Sequence, residues 1–217
     1  MSANPVLKKM IQVGVVPVVR ADREEEAFDA VNALIKGGIP IAEITMTTPN
    51  AHQIIAKLIQ KFGERLTVGA GTVTDISMCS GAMAVGSHFI VTPTLHMDII
   101  QMCVKRNICI IGGGLTPTEI LSTWKEGADA VKVFPVSAMG GPRYFRMIHE
   151  PLPQIPLVAT GGVSLETLPE YLEAGAIFVG AGGDLIFKKA LKNGKIEQIT
   201  ARAEQYIETI QKARSKK

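Results

Sequence analysis

The sequence predicts a (β/α)8 barrel, also called a TIM barrel, and three observations lead to this α/β fold class. Short runs rich in β-branched residues alternate with longer helix-like stretches along the whole chain. Strands separated by helices need right-handed crossovers, and these connect parallel strands. Eight such units fit a closed barrel better than an open sheet of six strands. We therefore expect residues 1–217 to form one (β/α)8 barrel domain, with an extra N-terminal helix over 4–11 that closes its bottom.

Each strand candidate is a short apolar run that stops at, or just before, a glycine, proline, threonine or charged residue. The eight runs cover residues 14–20, 41–45, 66–71, 88–93, 108–112, 130–135, 156–160 and 177–181. Apolar residues at helical spacing predict the helices that lie between and after these strands. The helix candidates cover residues 23–38, 50–63, 75–86, 96–107, 116–127, 142–150, 164–175 and 195–215.

Residues typical of helix ends support these boundaries. Gly86 and Gly127 stand where a helix gives way to the next strand, a place that favours glycine. Asp75 and Ser164 are predicted to cap helix N-termini, and Pro117 suits the first turn of a helix.

Composition excludes several classes of protein. With 47% hydrophobic and 20% charged residues, the chain has enough apolar material for a core and is not a disordered protein. The net charge is only +3 and the positive residues are dispersed, so we expect no nucleic-acid partner. No apolar run reaches the roughly 18 residues of a membrane span, and the N-terminus lacks a secretion signal. Cys79, Cys103 and Cys109 show no metal-ligand spacing, which favours reduced thiols in a cytoplasmic protein without a membrane partner.

A lysine inside an apolar strand is the first sign of chemistry. Lys132 stands between Val131 and Val133. Side chains alternate along a strand, so Lys132 should point into the barrel while the valines face the helices. Burial disfavours the charged ammonium, and a neutral amine can attack a ketone to form a Schiff base. A structural ion pair with Glu43 is the alternative.

Two more charged residues belong to strand patterns, and both suit a site at the C-terminal ends of the strands. Glu43 could act as the acid/base that Schiff-base chemistry requires. Arg20 offers a guanidinium fork for a carboxylate or a phosphate. The alternative for Arg20 is an ion pair with Asp22 or Glu24.

Two glycine-rich segments follow the seventh and eighth strands, at 160–164 and 180–184. Barrels that bind phosphate use this place, where backbone N–H groups can surround an anion. Two such loops in these positions therefore indicate a phosphate site. The segment GAGT at 69–72 is not a dinucleotide fingerprint, because it lacks the third glycine and the downstream acid.

Seven short segments carry a resemblance to a known family. They are EIT at 43–45, GAGTV at 69–73, VTP at 91–93, TPTE at 116–119, VKVFP at 131–135, TGGVS at 160–164 and VGAGG at 179–183. Their order and separations resemble the class I 2-keto-3-deoxy-6-phosphogluconate (KDPG) / 4-hydroxy-2-oxoglutarate (KHG) aldolase family over about residues 5–187. The resemblance implies a homotrimer that uses no metal or other cofactor and acts on a small 2-keto acid, which we expect to be phosphorylated.

The resemblance also implies roles for single residues. Lys132 matches the Schiff-base lysine, and Glu43 matches the acid/base, which works through a water molecule. The other matched positions surround the substrate, and they are Arg20 for the carboxylate, Thr72 and Thr160 for the pyruvyl group, Pro93 and Phe134 for the pocket walls, and Gly161, Gly162, Gly182 and Gly183 for the phosphate loops.

The chain departs from the family pattern in three places. Thr47 stands where some members have an arginine, so we assign binding of the substrate carboxylate to Arg20. GGGLT at 112–116 replaces a proline–glycine pattern, and Gly183 replaces a serine and is followed by Asp184. An aspartate here should repel a phosphate unless it points away or caps the following helix.

The predicted function is cleavage of KDPG to pyruvate and glyceraldehyde 3-phosphate, and also of 4-hydroxy-2-oxoglutarate to pyruvate and glyoxylate. The alternative within this class is the C4 epimer, 2-keto-3-deoxy-6-phosphogalactonate. From another class, a metal-independent phosphosugar isomerase or epimerase would use Glu43 as base and Lys132 as an electrostatic clamp. A phosphosugar sensor without catalysis is the third alternative, although it would need neither residue.

Overall fold

A computed structural model describes residues 4–215 and contains a closed barrel of eight parallel strands in chain order. Each strand pairs with the next, and β8 returns to pair with β1. The strands are β1 (Val15–Val19), β2 (Ile41–Thr45), β3 (Thr67–Gly71), β4 (Phe89–Val91), β5 (Cys109–Gly114), β6 (Ala130–Val133), β7 (Leu157–Thr160) and β8 (Phe178–Ala181). The predicted (β/α)8 barrel is therefore confirmed.

Helices alternate with the strands and surround the barrel. They are α1 (Pro5–Val13), α2 (Glu24–Lys36), α3 (Ala51–Phe62), α4 (Ile76–Ala84), α5 (Met97–Lys105), α6 (Pro117–Lys125), α7 (Pro142–His149), α8 (Leu168–Glu173), α9 (Lys188–Lys192) and α10 (Ile196–Arg214). Short 3-10 helices follow α3 and β6. The five-residue α9 was not predicted, because so short a helix shows little apolar periodicity.

Two apolar cores follow from the alternation of side chains along each strand. One core lies between the sheet and the surrounding helices. The other fills the barrel, with Ile41, Phe89 and Phe178 among its residues, and Leu7 and Met10 of α1 belong to it. The N-terminal helix therefore closes the bottom of the barrel, as predicted, and leaves the C-terminal ends of the strands open.

Most predicted helix ends are confirmed. Asp75 accepts a hydrogen bond from the Met78 N–H at 2.7 Å, and Pro117 lies in the first turn of α6. Ser164 is not adjacent to α8, which begins only at Leu168. Its hydroxyl nevertheless accepts the Thr167 N–H at 3.4 Å and its carbonyl accepts the Leu168 N–H at 2.9 Å, which are the hydrogen bonds of the predicted N-cap. Pro169 has no N–H to donate to the preceding turn, so the segment before α8 forms turns instead of helix.

The three cysteines are free and buried, as expected, and the sulfur atoms of Cys79 and Cys103 lie 3.8 Å apart. Within residues 4–215, no helix is both long enough and apolar enough to cross a membrane. The same residues contain no group of three or more His, Cys, Asp or Glu side chains placed to hold a metal ion.

Candidate active site

A cavity of about 440 Å³ opens at the C-terminal ends of the strands. Nine of the eleven predicted site residues line it, and they are Arg20, Thr72, Lys132, Phe134, Thr160, Gly161, Gly162, Gly182 and Gly183. Glu43 and Pro93 are the two predicted residues that do not line it. The closed barrel thus brings together side chains from strands that are far apart in the sequence.

Lys132 reaches the cavity from β6, and its side chain is on the inner side of the barrel. Val131 and Val133 belong to the core between sheet and helices, while Lys132 is only 5% exposed. Its Nζ atom lies 5.1 Å from the centroid of the Phe134 ring. None of the ion pairs among the described residues joins Lys132 to Glu43, so the structural ion pair is not formed. The ammonium or amine is left available to a ligand.

Glu43 is a carboxyl group without a direct partner. It is 3% exposed, and its Oε1 atom has no hydrogen-bond partner among the described residues. Burial raises the pKa of Glu43 above its usual 4.5, although the positive charges of Lys132 and Arg20 act in the opposite direction. A carboxyl group of this kind holds its proton to higher pH than an exposed glutamate, which suits a group that exchanges protons with a substrate.

Gly71 makes the room that the Glu43 side chain occupies. A Cβ atom at Gly71 would lie 1.8 Å from Glu43 Oε1. Gly180 does the same for Thr160, because a Cβ atom there would lie 2.5 Å from the Thr160 hydroxyl. We did not predict these two roles. A glycine inside a strand often marks a close approach of another group, and this was the signal that could have identified them.

The Arg20 side chain is hydrogen-bonded to a threonine and is not paired with an acidic residue. Its Nε atom donates to Thr47 Oγ1 at 3.1 Å, and the Thr47 hydroxyl lies 2.9 Å from that of Thr45. Asp22 and Glu24, the predicted alternative partners, pair with lysines instead. The terminal nitrogens of the guanidinium therefore have no acceptor among the described side chains, and they can receive a carboxylate.

Two threonine hydroxyls face the same cavity without a hydrogen-bond partner in the described part of the chain. Thr72 follows β3 with φ of 57°, an unusual left-handed conformation for a β-branched residue. Such conformations cost free energy and occur preferentially at functional sites. Thr160 ends β7 and is buried. Both hydroxyls are free to bind a polar ligand near Lys132.

The two glycine loops form the other side of the cavity. Gly161 and Gly162 have φ angles of 91° and 77°, which only glycine adopts readily. The backbone N–H groups of Gly162, Val163, Gly183 and Asp184 find no acceptor among residues 4–215. Several free N–H groups around one cavity form a site suited to an anion.

Asp184 lines the cavity, but its carboxylate is bound to other parts of the protein. It accepts hydrogen bonds from the Leu165 N–H, Arg202 and Tyr206. Partial burial raises the pKa of Asp184, but these hydrogen bonds and the Arg202 charge outweigh burial and lower that pKa below 3.8. The predicted helix cap is wrong, since α9 begins at Lys188. The other predicted possibility, a carboxylate directed away from the anion site, agrees with these contacts.

Pro93 lines a second cavity of about 280 Å³, and Phe134 is a wall of both cavities. The triple glycine of β5 explains this arrangement. A Cβ atom at Gly113 would lie 2.3 Å from the Pro93 carbonyl carbon, so glycine lets the loop after β4 approach the barrel closely. The family resemblance implied that Pro93 is a pocket wall, but it could not show on which side of Phe134 this residue lies.

Comparison with known proteins identifies the family of this chain. The model of the KDPG and KHG aldolase family matches residues 6–202. The 2-dehydro-3-deoxy-phosphogluconate aldolase of Treponema pallidum is 30% identical over 94% of this chain and 97% of its own. The 2-dehydro-3-deoxy-6-phosphogalactonate aldolase of Escherichia coli is 31% identical over 90% of this chain and 96% of its own.

A solved structure extends the likeness to three dimensions. The KDPG aldolase of Legionella pneumophila, with pyruvate captured at low pH as a covalent carbinolamine intermediate, superposes with a TM-score of 0.84. It is 28% identical and covers 90% of this chain and 96% of its own. These relatives are aldolases, which removes support from the isomerase and sensor alternatives. The chain belongs to the KDPG and KHG aldolase family and is an aldolase, a carbon–carbon lyase.

Proposed function

We propose that this protein is a Schiff-base aldolase that cleaves KDPG to pyruvate and glyceraldehyde 3-phosphate. The observation that carries the proposal is Lys132, a buried lysine without an ion pair to Glu43, at the edge of a cavity that ends in free backbone N–H groups. A lysine amine that has no ion-pair partner and faces a ligand cavity is placed to react with a ketone and form a Schiff base.

In the first step, the Lys132 amine attacks the C2 ketone of the substrate. Loss of water from the resulting carbinolamine gives a protonated imine. This imine withdraws electrons from the C3–C4 bond and so prepares it for cleavage. The covalent carbinolamine in the Legionella pneumophila enzyme supports the same chemistry here.

In the second step, Glu43, acting through a water molecule, removes the proton from the C4 hydroxyl. The C3–C4 bond breaks, the aldehyde leaves, and the bonding electrons form an enamine with the imine. Protonation at C3 and hydrolysis then release pyruvate and regenerate the lysine. The raised pKa of Glu43 and its unpartnered oxygen suit this exchange of protons.

Arg20 binds the substrate carboxylate in this proposal. Thr47 accepts the Nε–H of Arg20, which fixes the plane of the guanidinium and leaves its outer edge for a bidentate contact. The hydroxyls of Thr72 and Thr160 orient the pyruvyl oxygens. Phe134 covers one side of the reacting group.

The phosphate of the substrate binds at the glycine loops. The free N–H groups of Gly162 and Gly183 support this placement, together with the bare backbone of Gly161 and Gly182. In this proposal the carboxylate end of the substrate lies next to Arg20 and the phosphate end lies at the glycine loops.

The phosphogalactonate epimer is the second candidate substrate, and 4-hydroxy-2-oxoglutarate is the third. Identities of 30% and 31% to a phosphogluconate and a phosphogalactonate aldolase do not separate the epimers. Pyruvate release from the three compounds tests the proposal. We expect the highest kcat/KM for KDPG, and a higher value for the galactonate epimer would contradict the substrate assignment.

We also propose a cytoplasmic homotrimer of single barrel domains spanning residues 1–217, acting without a metal or another cofactor. Large apolar side chains on the outer surface, including Met97, Val104 and Met147, support association of the chains. Light scattering measures the mass in solution, and a monomer would contradict the trimer.

Turnover in the presence of a chelator tests the absence of a metal, because a metal-dependent enzyme would lose activity.

A further inference from the structure

We propose that Asp184 is a positioning residue, which fixes the two glycine loops to α10 in the arrangement that receives the substrate phosphate. The inference rests on the proposed function, and it assigns a role to a residue that departs from the family pattern. Asp184, Arg202 and Tyr206 together are called the Asp184 clamp below.

The clamp consists of hydrogen bonds to the carboxylate and the backbone carbonyl of Asp184. Asp184 Oδ2 accepts from the Tyr206 hydroxyl at 2.6 Å and from the Leu165 N–H at 3.1 Å. Asp184 Oδ1 accepts from Arg202 at 2.8 Å, and the Nε–H of Arg202 also donates to the Asp184 carbonyl at 3.3 Å. Both the side chain and the backbone of Asp184 are therefore held.

These contacts connect three separate segments. Leu165 belongs to the loop after β7, Asp184 belongs to the loop after β8, and Arg202 and Tyr206 lie on α10. Tyr206 is fully buried, which anchors its hydroxyl in the core. The Asp184 carboxylate thus connects both loops to α10, beyond the point where the pairing of β7 with β8 ends at Thr160 and Gly180.

The same two loops carry the free N–H groups of the anion site. Gly162 and Val163 lie on the first loop, and Gly183 and Asp184 lie on the second. An anion that is held by N–H groups from two loops needs a fixed distance between those loops. Because Gly183 has no side-chain hydroxyl to offer, the backbone N–H groups of this loop provide the contacts to the anion in this proposal.

The negative charge of Asp184 does not exclude a phosphate from this place. Arg202 forms an ion pair with Asp184, and its side chain is only 20% exposed. The two charges offset each other next to the cavity, and four hydrogen bonds satisfy Asp184. The aspartate that looked unfavourable in the sequence is therefore compatible with a phosphorylated substrate.

The test compares the wild-type enzyme with Asp184→Asn, Tyr206→Phe and a control, Glu166→Gln. Glu166 is 72% exposed and touches Arg202 at 3.8 Å, so its substitution changes the same arginine without opening the clamp. Three quantities are measured for each protein. They are the Kd of inorganic phosphate, the KM and kcat for KDPG and for 4-hydroxy-2-oxoglutarate, and borohydride trapping of pyruvate on Lys132.

We expect Asp184→Asn to weaken phosphate binding and raise the KM for KDPG by about tenfold or more, as for the loss of hydrogen bonds to a charged group. Tyr206→Phe should act in the same direction with a smaller effect, and Glu166→Gln should match the wild type. Trapping of pyruvate and cleavage of 4-hydroxy-2-oxoglutarate should change less than about twofold in all variants.

Three outcomes would overturn the proposal. They are equal losses for both substrates and for trapping, unchanged phosphate binding in Asp184→Asn, and tighter phosphate binding in that variant. If Asp184→Asn does not fold, Tyr206→Phe decides by the same criteria. Failure of pyruvate trapping in the wild type would refute the proposed function instead, and the phosphate Kd values would still test the clamp.

Discussion

At the scale of single residues, the main feature of the site is a pair of buried ionisable side chains that are not joined by an ion pair or a hydrogen bond. Lys132 and Glu43 are both buried, yet neither has an ion pair or hydrogen bond to the other. Buried charges normally require such partners, so the protein is less stable here than it could be. Stability lost at a site of this kind is typical of residues retained for chemistry.

Substitution of Glu43 by glutamine should separate stability from activity. The raised pKa of Glu43 means that its stabilising contribution is present below pH 4.5 and is lost as the pH rises through the folded-state pKa. Glu43→Gln should therefore be more stable than the wild type at pH 8, by about 1–3 kcal/mol, and not at pH 4. Urea unfolding at both pH values measures this difference.

The same variant should lose activity by about 10²–10⁴-fold in kcat, the usual contribution of a general acid/base. Glu64→Gln, at an exposed glutamate, is the matched control and should change neither property. A Glu43→Gln enzyme that is destabilised at pH 8 would show that Glu43 serves mainly as a partner for a positive charge.

Thr47 should influence binding of the carboxylate through Arg20. Thr47→Val removes the acceptor for the Arg20 Nε–H, so the guanidinium loses its fixed plane. We expect KM for the keto acid to rise by about three- to tenfold with kcat nearly unchanged. Thr47→Ser keeps the hydroxyl and should restore the wild-type KM. A loss confined to kcat would contradict this positioning role.

At the scale of secondary structure elements, the strands were predicted closely because β-branched runs and terminal glycines mark them well. The predicted 41–45 agrees with β2, and the other strands differ by one or a few residues at their ends. Ser164 makes the hydrogen bonds of an N-cap, but α8 begins later than predicted because Pro169 lacks an N–H. Sequence patterns within one segment locate the strands, but they do not reveal contacts between segments that are far apart in the chain.

The candidate site, like the secondary structure, could be predicted from the sequence only in part. Lys132, Glu43 and Arg20 were found because charged residues are rare in apolar strands. The partners of Asp184 were not found, because Arg202 and Tyr206 lie on a helix 18 and 22 residues away. Such contacts depend on how α10 packs against the barrel, which no spacing in the sequence reveals.

The glycine that ends β3 offers a test at this scale. Gly71→Ala places a Cβ atom 1.8 Å from Glu43 Oε1 and must displace that side chain. We expect kcat to fall by about tenfold or more, since proton transfer depends on position. In Gly183→Ala the new Cβ atom would have no atom within 4 Å, so cleavage of unphosphorylated 4-hydroxy-2-oxoglutarate should remain. Equal kcat in Gly71→Ala and the wild type would contradict the role of Glu43.

At the scale of the whole molecule, the candidate active site lies at one end of the barrel, and the packing that stabilises the other end is remote from it. The closed sheet brings the ends of β1, β3, β6, β7 and β8 around one cavity, while α1 seals the opposite end. In barrels of this class the site lies at the C-terminal face, and the other face serves stability.

A substitution at the sealed end should therefore change stability alone. Met10 is fully buried between α1 and the barrel interior, so Met10→Ala should cost about 2–5 kcal/mol in the free energy of unfolding. Lys8→Ala, on the exposed side of α1, should cost less than about 0.5 kcal/mol. Both variants should retain wild-type kcat, and a fall in kcat for folded Met10→Ala would contradict the separation.

The most direct test of the Schiff-base mechanism is reduction of the protein with borohydride in the presence of pyruvate, followed by peptide mass spectrometry. An imine is reducible, and an electrostatic contact is not. We expect a pyruvyl adduct on Lys132 in the wild type and none in a folded Lys132→Ala variant. An adduct on another lysine, or no adduct at all, would contradict the assignment of Lys132 as the Schiff-base residue.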